Sequence, residues 1–416
     1  MVQFLPFAAL RPRPEFAAKT AAPPYDVVSV AEARALAADN SYSFLHVSRP
    51  EIDLPDDLDP TDERVYAAGR DNLHLMVASG ILTPDPTPGY LIYRQQLGSQ
   101  IQTGVVGLAS VSEYETGVIA RHELTRPDKE LDRVRHIDAL GVHDEPVFLL
   151  YPDSETLSTL LGEVTAGEPE IELLTNDGVV HQVWRVGDPE SVDAFRAAFA
   201  TLPRVYIADG HHRSAAAARV ATRRAGQGDA EVEGFLSVVF GAGDLTLLPY
   251  NRAVADLAGE SPSSLLKRLD ASFEIVPSAK AVEPAARHDF GLRLADGWYR
   301  LRLRPGLVDE NNPVARLDVS VLQNLVLEPL LGIGNPRTDP RISFVGGSRG
   351  MAELDRLVES GTAAAAFSLY PTSVGDLMAL ADAGEVMPPK STWFEPKLAS
   401  GLFLHDFSGE LDAEKE

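Results

Sequence analysis

Residues 205–225 place a β-branched strand, a glycine turn and an alanine-rich helix in direct succession: Val205-Tyr206-Ile207-Ala208-Asp209-Gly210-His211-His212-Arg213-Ser214, then helix from Ser214 to Ala225. A strand that turns at one glycine into a helix calls for a sheet with helices laid on it. The rest of the chain repeats the alternation. Tyr90–Gln95 and Thr103–Val111 are β-rich runs around a Gly-Ser turn, which predicts a hairpin. Val147–Tyr151, Phe235–Phe240 and Leu245–Leu248 read as further strands, and Ala363–Tyr370 as a strand before a helix over Val374–Gly384. Ala22–Ser29 is stiffened by its prolines, and Ser29 with Glu32 predicts a capping box. Asp62–Ser79 reads as an amphipathic helix ended by Gly80. Thr125-Arg126-Pro127-Asp128 reads as a helix start capped by Thr125, with an apolar stripe of Leu131, Val134 and Ile137 and a stop at Gly141. The fold class expected is α+β, or mixed α/β.

The length of 416 residues exceeds one ordinary core. The expected organisation is an N-terminal extension over 1–100, a core over 101–255 with an αβ insertion at about 152–203, a C-terminal αβ lobe over 256–410 completing the cleft, and a charged tail over 411–416. The formal charge of −24 repels a polyanion over most of the surface, so broad nucleic-acid binding is disfavoured. A local basic pocket for a small phosphate is compatible with it. The absence of cysteine excludes disulfides, thiolate metal sites and cysteine nucleophiles, and fits a reducing compartment. The N-terminus lacks the basic start and long apolar centre of a secretory signal, and no run approaches the roughly 20 apolar residues that span a bilayer. A cytoplasmic location, with no membrane partner, is expected.

Three stretches carry chemistry. At Asp209–Arg213 the helix start aims backbone N–H groups and the positive dipole end at one spot. Gly210 permits close approach of a ligand, and Arg213 is a forked donor suited to phosphate oxygens. Asp209 can hold magnesium, which favours carboxylate plus phosphate oxygens. His211 and His212 can donate to phosphate or position a nucleophile. The competing reading is a helix cap with surface histidines. The second stretch is Arg121-His122-Glu123-Leu124-Thr125, where Glu123 suits a general base. A zinc-protease motif fails because Arg126 stands where its second histidine belongs. Lys129, Asp132 and Arg133 on the following helix can face the same cleft, or form a solvated charged face. The third is Met387–Lys397, where two prolines hold Lys390 on a stiff strand-like loop; Lys390, Ser391 and Thr392 suit a phosphate or small carboxylate ligand. The alternative there is a connector with Trp393 and Phe394 in the core. Gly241-Ala242-Gly243 and Gly346–Gly350 match no nucleotide loop, and His46 and His74 read as structural.

Together, His122-Glu123, Asp209 to Arg213, Gly384-Glu385-Val386 and Pro389-Lys390-Ser391-Thr392 resemble, in order, the motifs of free serine kinases of the ParB/sulfiredoxin-like superfamily. That similarity covers about residues 101–140, 204–220 and 340–404. Nearly the full chain, with Ala22–Ser29 and Ser43–Val47, also resembles a large prokaryotic family of unknown function. The resemblance implies a ParB/sulfiredoxin-like catalytic core and transfer of a phosphoryl group from ATP or ADP, with Mg2+, to the hydroxyl of free L-serine or a related small metabolite. It implies Glu123 as the base, with His122 and His211 beside it. It implies Asp209, Gly210, His211, His212, Arg213 and Lys390 on the donor phosphates, Asp209 on the metal, and Ser391 and Thr392 on the acceptor. Residues 1–100 and 152–203 have no counterpart in the small kinases. A sulfiredoxin-type reaction is excluded by the missing cysteine. The alternative is a ParB-like nucleotide sensor or DNA-associated regulator without kinase activity, which the acidic charge and the lack of a clear helix-turn-helix oppose.

Overall fold

The computed structural model describes residues 1–226 and 232–411; of the charged tail expected over 411–416, residues 412–416 lie outside them, and Leu411 is buried. The chain divides into two units, Met1–Leu245 with Pro396–Glu416, and Thr246–Glu395. The architecture is mixed α/β.

In the first unit, nine strands among the described residues form one sheet. They are β1 (Phe4–Leu5), β2 (Tyr90–Leu97), β3 (Gln100–Ser110), β4 (Ile119–Ala120), β5 (Val147–Tyr151), β6 (Ile171–Leu174), β7 (Val180–Val186), β8 (Val205–Asp209) and β9 (Gly234–Gly241). Their order is β4-β8-β5-β9-β3-β2-β7-β6, with β1 beside β3. The β2–β3 hairpin is antiparallel, and Gly98 takes φ 60° in its turn. β8 runs parallel to β4 and antiparallel to β5, and its register shifts between Ile207 and Asp209. That irregularity falls where the strand delivers Asp209.

Helices α1 (Val30–Ala37), α2 (Glu63–Ala78), α3 (Pro127–Leu140), α4 (Glu155–Thr165), α5 (Pro189–Ala200) and α6 (His211–Arg224) belong to this unit. α1 carries the expected Ser29–Glu32 capping box, and the Asp62 side chain caps α2. At α3 the expected cap is wrong: Arg126 is the N-cap, and the Thr125 hydroxyl instead donates to Glu130 at 2.5 Å. Leu131 is also off the buried stripe, at 38% exposure beside buried Val134, Ile137 and Leu140. Six residues fall about 120° short of two turns, so positions 131 and 137 cannot share one narrow face. Helix α6 starts at His211, earlier than Ser214, because Gly210 in the left-handed region (φ 94°) ends the strand within one residue. Ala215, Ala216, Ala217, Ala218 and Ala221 of α6 pack in one core with Val134, Ile137, Val147, Leu149, Ile207 and Phe235. Short side chains let the helix lie close to the sheet, and this fixes the depth of its N-terminus.

The second unit has a six-stranded antiparallel sheet of β10 (Tyr250–Val254), β11 (Phe273–Ser278), β12 (Asp289–Leu294), β13 (Gly297–Leu303), β14 (Ile342–Gly346) and β15 (Ala365–Leu369), in the order β11-β13-β12-β15-β10-β14. Helices α7 (Gly350–Glu359) and α8 (Val374–Asp382) follow β14 and β15, and Ser373 caps α8. Thr246–Leu248 pairs with Trp393–Glu395. No helix among the described residues is long and apolar enough to cross a membrane.

Candidate functional site

The strand-to-helix joint of the first unit gathers most of the expected residues. Gly210 can approach other groups because it has no Cβ: one built there would lie 3.1 Å from Arg213 Nε and 3.2 Å from its Cζ. As N-cap it offers no side-chain acceptor to the first-turn N–H groups. The Asp209 carboxylate folds back, accepting the Gly210 N–H at 2.8 Å through Oδ1 and the Lys397 ammonium at 2.9 Å through Oδ2. Arg213 NH2 stands 3.9 Å from Oδ1. Burial by itself would raise the Asp209 carboxyl, but the charges of Lys397 and Arg213 outweigh it and hold the group well below the usual carboxylate range. Asp209 is therefore an anion at neutral pH. Arg213 is buried and donates to the Pro146 carbonyl.

His122 and His211 meet edge to face, with ring centroids 4.5 Å apart. Both are buried. Burial brings His122 down to about 4, with Asp209 opposing it only in part. Burial, then His122, pushes His211 well below its ordinary value. Both rings are neutral at physiological pH. His122 Nδ1 and His211 Nε2 have no hydrogen-bond partner among the described residues. Orphaned buried nitrogens cost roughly 1–3 kcal/mol each, which packing does not explain. His211 Nδ1 lies 3.9 Å from Glu123 Oε2, close but beyond hydrogen-bond length. Glu123 is 36% exposed and can meet a ligand from solvent. His212 Nε2 accepts the Arg126 backbone N–H at 2.9 Å, which places its own proton on Nδ1 and ties the loop before α3 to α6.

Behind this joint lies a buried polar cluster that sequence reasoning did not find. Glu145 Oε1 accepts the Tyr25 N–H at 2.9 Å and the Ser400 hydroxyl at 2.8 Å. Burial pushes Glu145 up to about 7, with Arg213 opposing. The Arg133 guanidinium sits 4.0 Å over the Tyr25 ring. A cavity of about 10 Å³ among Arg133, His143, Asp144, Glu145 and Arg213 has space for roughly one water. The signal in the sequence was slight: Tyr25 follows two prolines, and Lys397 ends the proline-rich stretch.

Lys390, Ser391 and Thr392 belong to the second unit. Lys390 is exposed and takes φ 55°, a left-handed turn where a strand-like loop was expected, with Nζ 5.6 Å from the Tyr250 ring centroid. The turn is set by its neighbours: Arg252 donates to the Pro389 carbonyl, and Ser391 Oγ donates to the Pro388 carbonyl at 2.6 Å. Ser391 is buried, and Thr392 is partly exposed. No group of three or more His, Asp or Glu among the described residues is arranged to hold a metal by itself.

The sequence matches, over residues 4–320, the family described as "Protein of unknown function (DUF1015)". The chain belongs to this family. No curated protein matches this DUF1015 member. Solved structures similar to it include a conserved hypothetical protein from Pyrococcus furiosus, at 16% identity and TM-score 0.34, covering 71% of this chain and 94% of that one. A free serine kinase in complex with AMP is 14% identical at TM-score 0.35, covering 71% and 91%. SbnI with a C-terminal truncation, from Staphylococcus aureus, is 11% identical at TM-score 0.36, covering 75% and 90%. These values are too low to carry an inference about activity.

Proposed function

We propose that this DUF1015 protein is a cytoplasmic kinase with a ParB/sulfiredoxin-like core, moving a phosphoryl group from ATP or ADP to the hydroxyl of free L-serine or a related small metabolite. The observation that carries the reading is the set of groups meeting at the N-terminus of α6. A partly exposed carboxylate, Glu123, stands beside two neutral buried histidines with unsatisfied nitrogens, next to Asp209 held between two cations. Phosphoryl transfer needs alignment, a base near the hydroxyl and positive charge at the phosphoryl oxygens, and little else from a protein.

In this mechanism the donor phosphates lie on the first-turn N–H groups of α6. His211 and His212 orient them as neutral donors, and buried Arg213 acts by charge and by fixing Asp209. Asp209 is the residue that would hold a magnesium ion. One carboxylate with phosphate oxygens and waters is an ordinary magnesium set, and its chemistry is to neutralise charge on the phosphates. Glu123 takes the acceptor's hydroxyl proton as the new O–P bond forms and the nucleotide leaves with the electron pair of the old one. His122 packs on His211 and fixes its ring. Lys390, Ser391 and Thr392 enter the proposal on the motif resemblance alone.

The test is Glu123→Gln. Removing a positioned general base costs about 10²–10⁴-fold in rate, while ADP affinity measured by calorimetry stays at the wild-type value. A variant that turns over nucleotide normally shows the mechanism to be wrong. Nucleotide binding without transfer in the wild type favours a sensor.

A further inference from the structure

We propose that Lys397 is a phosphate-binding residue of this site, contacting the terminal phosphates of the donor. The inference rests on the kinase reading and adds a residue that its motifs do not include. Arg213, the expected phosphate contact, is buried and committed to the Pro146 carbonyl. Lys397 is placed differently: its side chain is 20% exposed, and Nζ lies 2.9 Å from Asp209 Oδ2, at the edge of the turn that starts α6. An ammonium there adds positive charge where the helix dipole already favours an anion.

The backbone around Lys397 is held with unusual care. Gln95 Nε2 donates to the Lys397 carbonyl at 2.7 Å, and Gln102 Nε2 donates to Gln95 Oε1 at 2.9 Å and to the Pro396 carbonyl at 3.4 Å. The Ala399 N–H donates to the Tyr93 hydroxyl at 3.2 Å. That hydroxyl is 2.6 Å from His181 Nδ1, and His181 Nε2 is 3.1 Å from Thr175 Oγ1. With the Tyr93 hydroxyl accepting from Ala399, its proton goes to His181 Nδ1, and Nε2–H goes to Thr175. Gln95, Gln102 and Tyr93 are all but fully buried, on the central strands β2 and β3. Buried amides and hydroxyls are costly unless satisfied, and here they are satisfied by the main chain on both sides of one lysine. An ordinary surface lysine needs no such support. The arrangement fixes the lysine's Cα and leaves its flexible stem to reach from Asp209 to an incoming phosphate.

The experiment titrates the full-length chain with adenosine, AMP and ADP by calorimetry, for wild type, Lys397→Met and Lys397→Arg. We expect wild-type affinity to rise with phosphate number. Lys397→Met should bind adenosine as the wild type does and ADP at least roughly ten-fold more weakly, the size of a lost charged hydrogen bond, with Lys397→Arg restoring most of the difference. Lys397→Gln gives the same split if the Met variant does not fold. Equal losses for adenosine and ADP would mean a structural lysine and overturn the proposal, as would unchanged ADP binding. A wild type that binds neither ligand overturns the kinase reading itself.

Discussion

Gly210→Ala tests whether the turn at Asp209–Arg213 is built for close approach. Gly210 sits at φ 94°, where an added Cβ costs about 1–2 kcal/mol in backbone strain. That Cβ would also meet Arg213 Nε at 3.1 Å, Cζ at 3.2 Å and NH2 at 3.3 Å. The guanidinium cannot swing away cheaply, because it is buried and bonded to the Pro146 carbonyl. Overpacking of this kind adds about 1–3 kcal/mol, for a total of about 2–5 kcal/mol. Gly117→Ala is the control, since Gly117 has φ 80° with nothing within 4 Å of the added atom; it should show only the strain. The assay is urea denaturation in a Trp298→Phe, Trp393→Phe background, where Trp184 alone reports the first unit. Separate signals are needed because two units need not unfold together. Gly210→Ala should also weaken ADP binding, because the displaced guanidinium disturbs Asp209. Equal stability losses at the two glycines, with ADP binding intact, would refute the reasoning.

Other outcomes follow from the same geometry. Glu145 is held at about 7 against an ordinary 4.5, so the folded chain binds more protons in that window. Its contribution is complete below about 4.5 and is lost as pH rises through 7, on the order of 2–3 kcal/mol between pH 5 and 8. Glu145→Gln removes this slope, so the variant should gain on the wild type by that amount across the window; parallel stability profiles would show that the carboxyl titrates normally. Ser29→Ala breaks the capping box of α1 and should cost about 1 kcal/mol, with Ser29→Asp retaining most of it in the Trp184 urea assay.

The legible parts of the fold were those with local causes. The Ser29 box, the Gly98 turn and the apolar strand Val147–Tyr151 each declare themselves within a few residues. The joint at Gly210 was visible too, although the helix begins three residues earlier than propensity suggested. A cap and a stripe misread at α3 show where local rules run out: Thr125 found a better partner in Glu130, and Leu131 lay off the packed face. At the candidate site, Asp209–Arg213 stood out by residue type and order, His122 and Glu123 were singled out by the motif resemblance, and the structure brings His122, Glu123 and His211 together. Lys397, Glu145 and Tyr25 were not legible, because their roles come from contacts across 188, 120 and similar spans of sequence. Residue type did not reveal that Arg213 would be buried behind Asp209; only the depth of the alanine-rich helix determines that.

The central claim is that this site transfers phosphate to the hydroxyl of free L-serine. Phosphorus NMR of the purified protein with magnesium, L-serine and either ATP or ADP tests it most directly. The account predicts a phosphoserine resonance with one of the two donors, lost in Glu123→Gln. Bound nucleotide with no phosphoserine from either donor would contradict it.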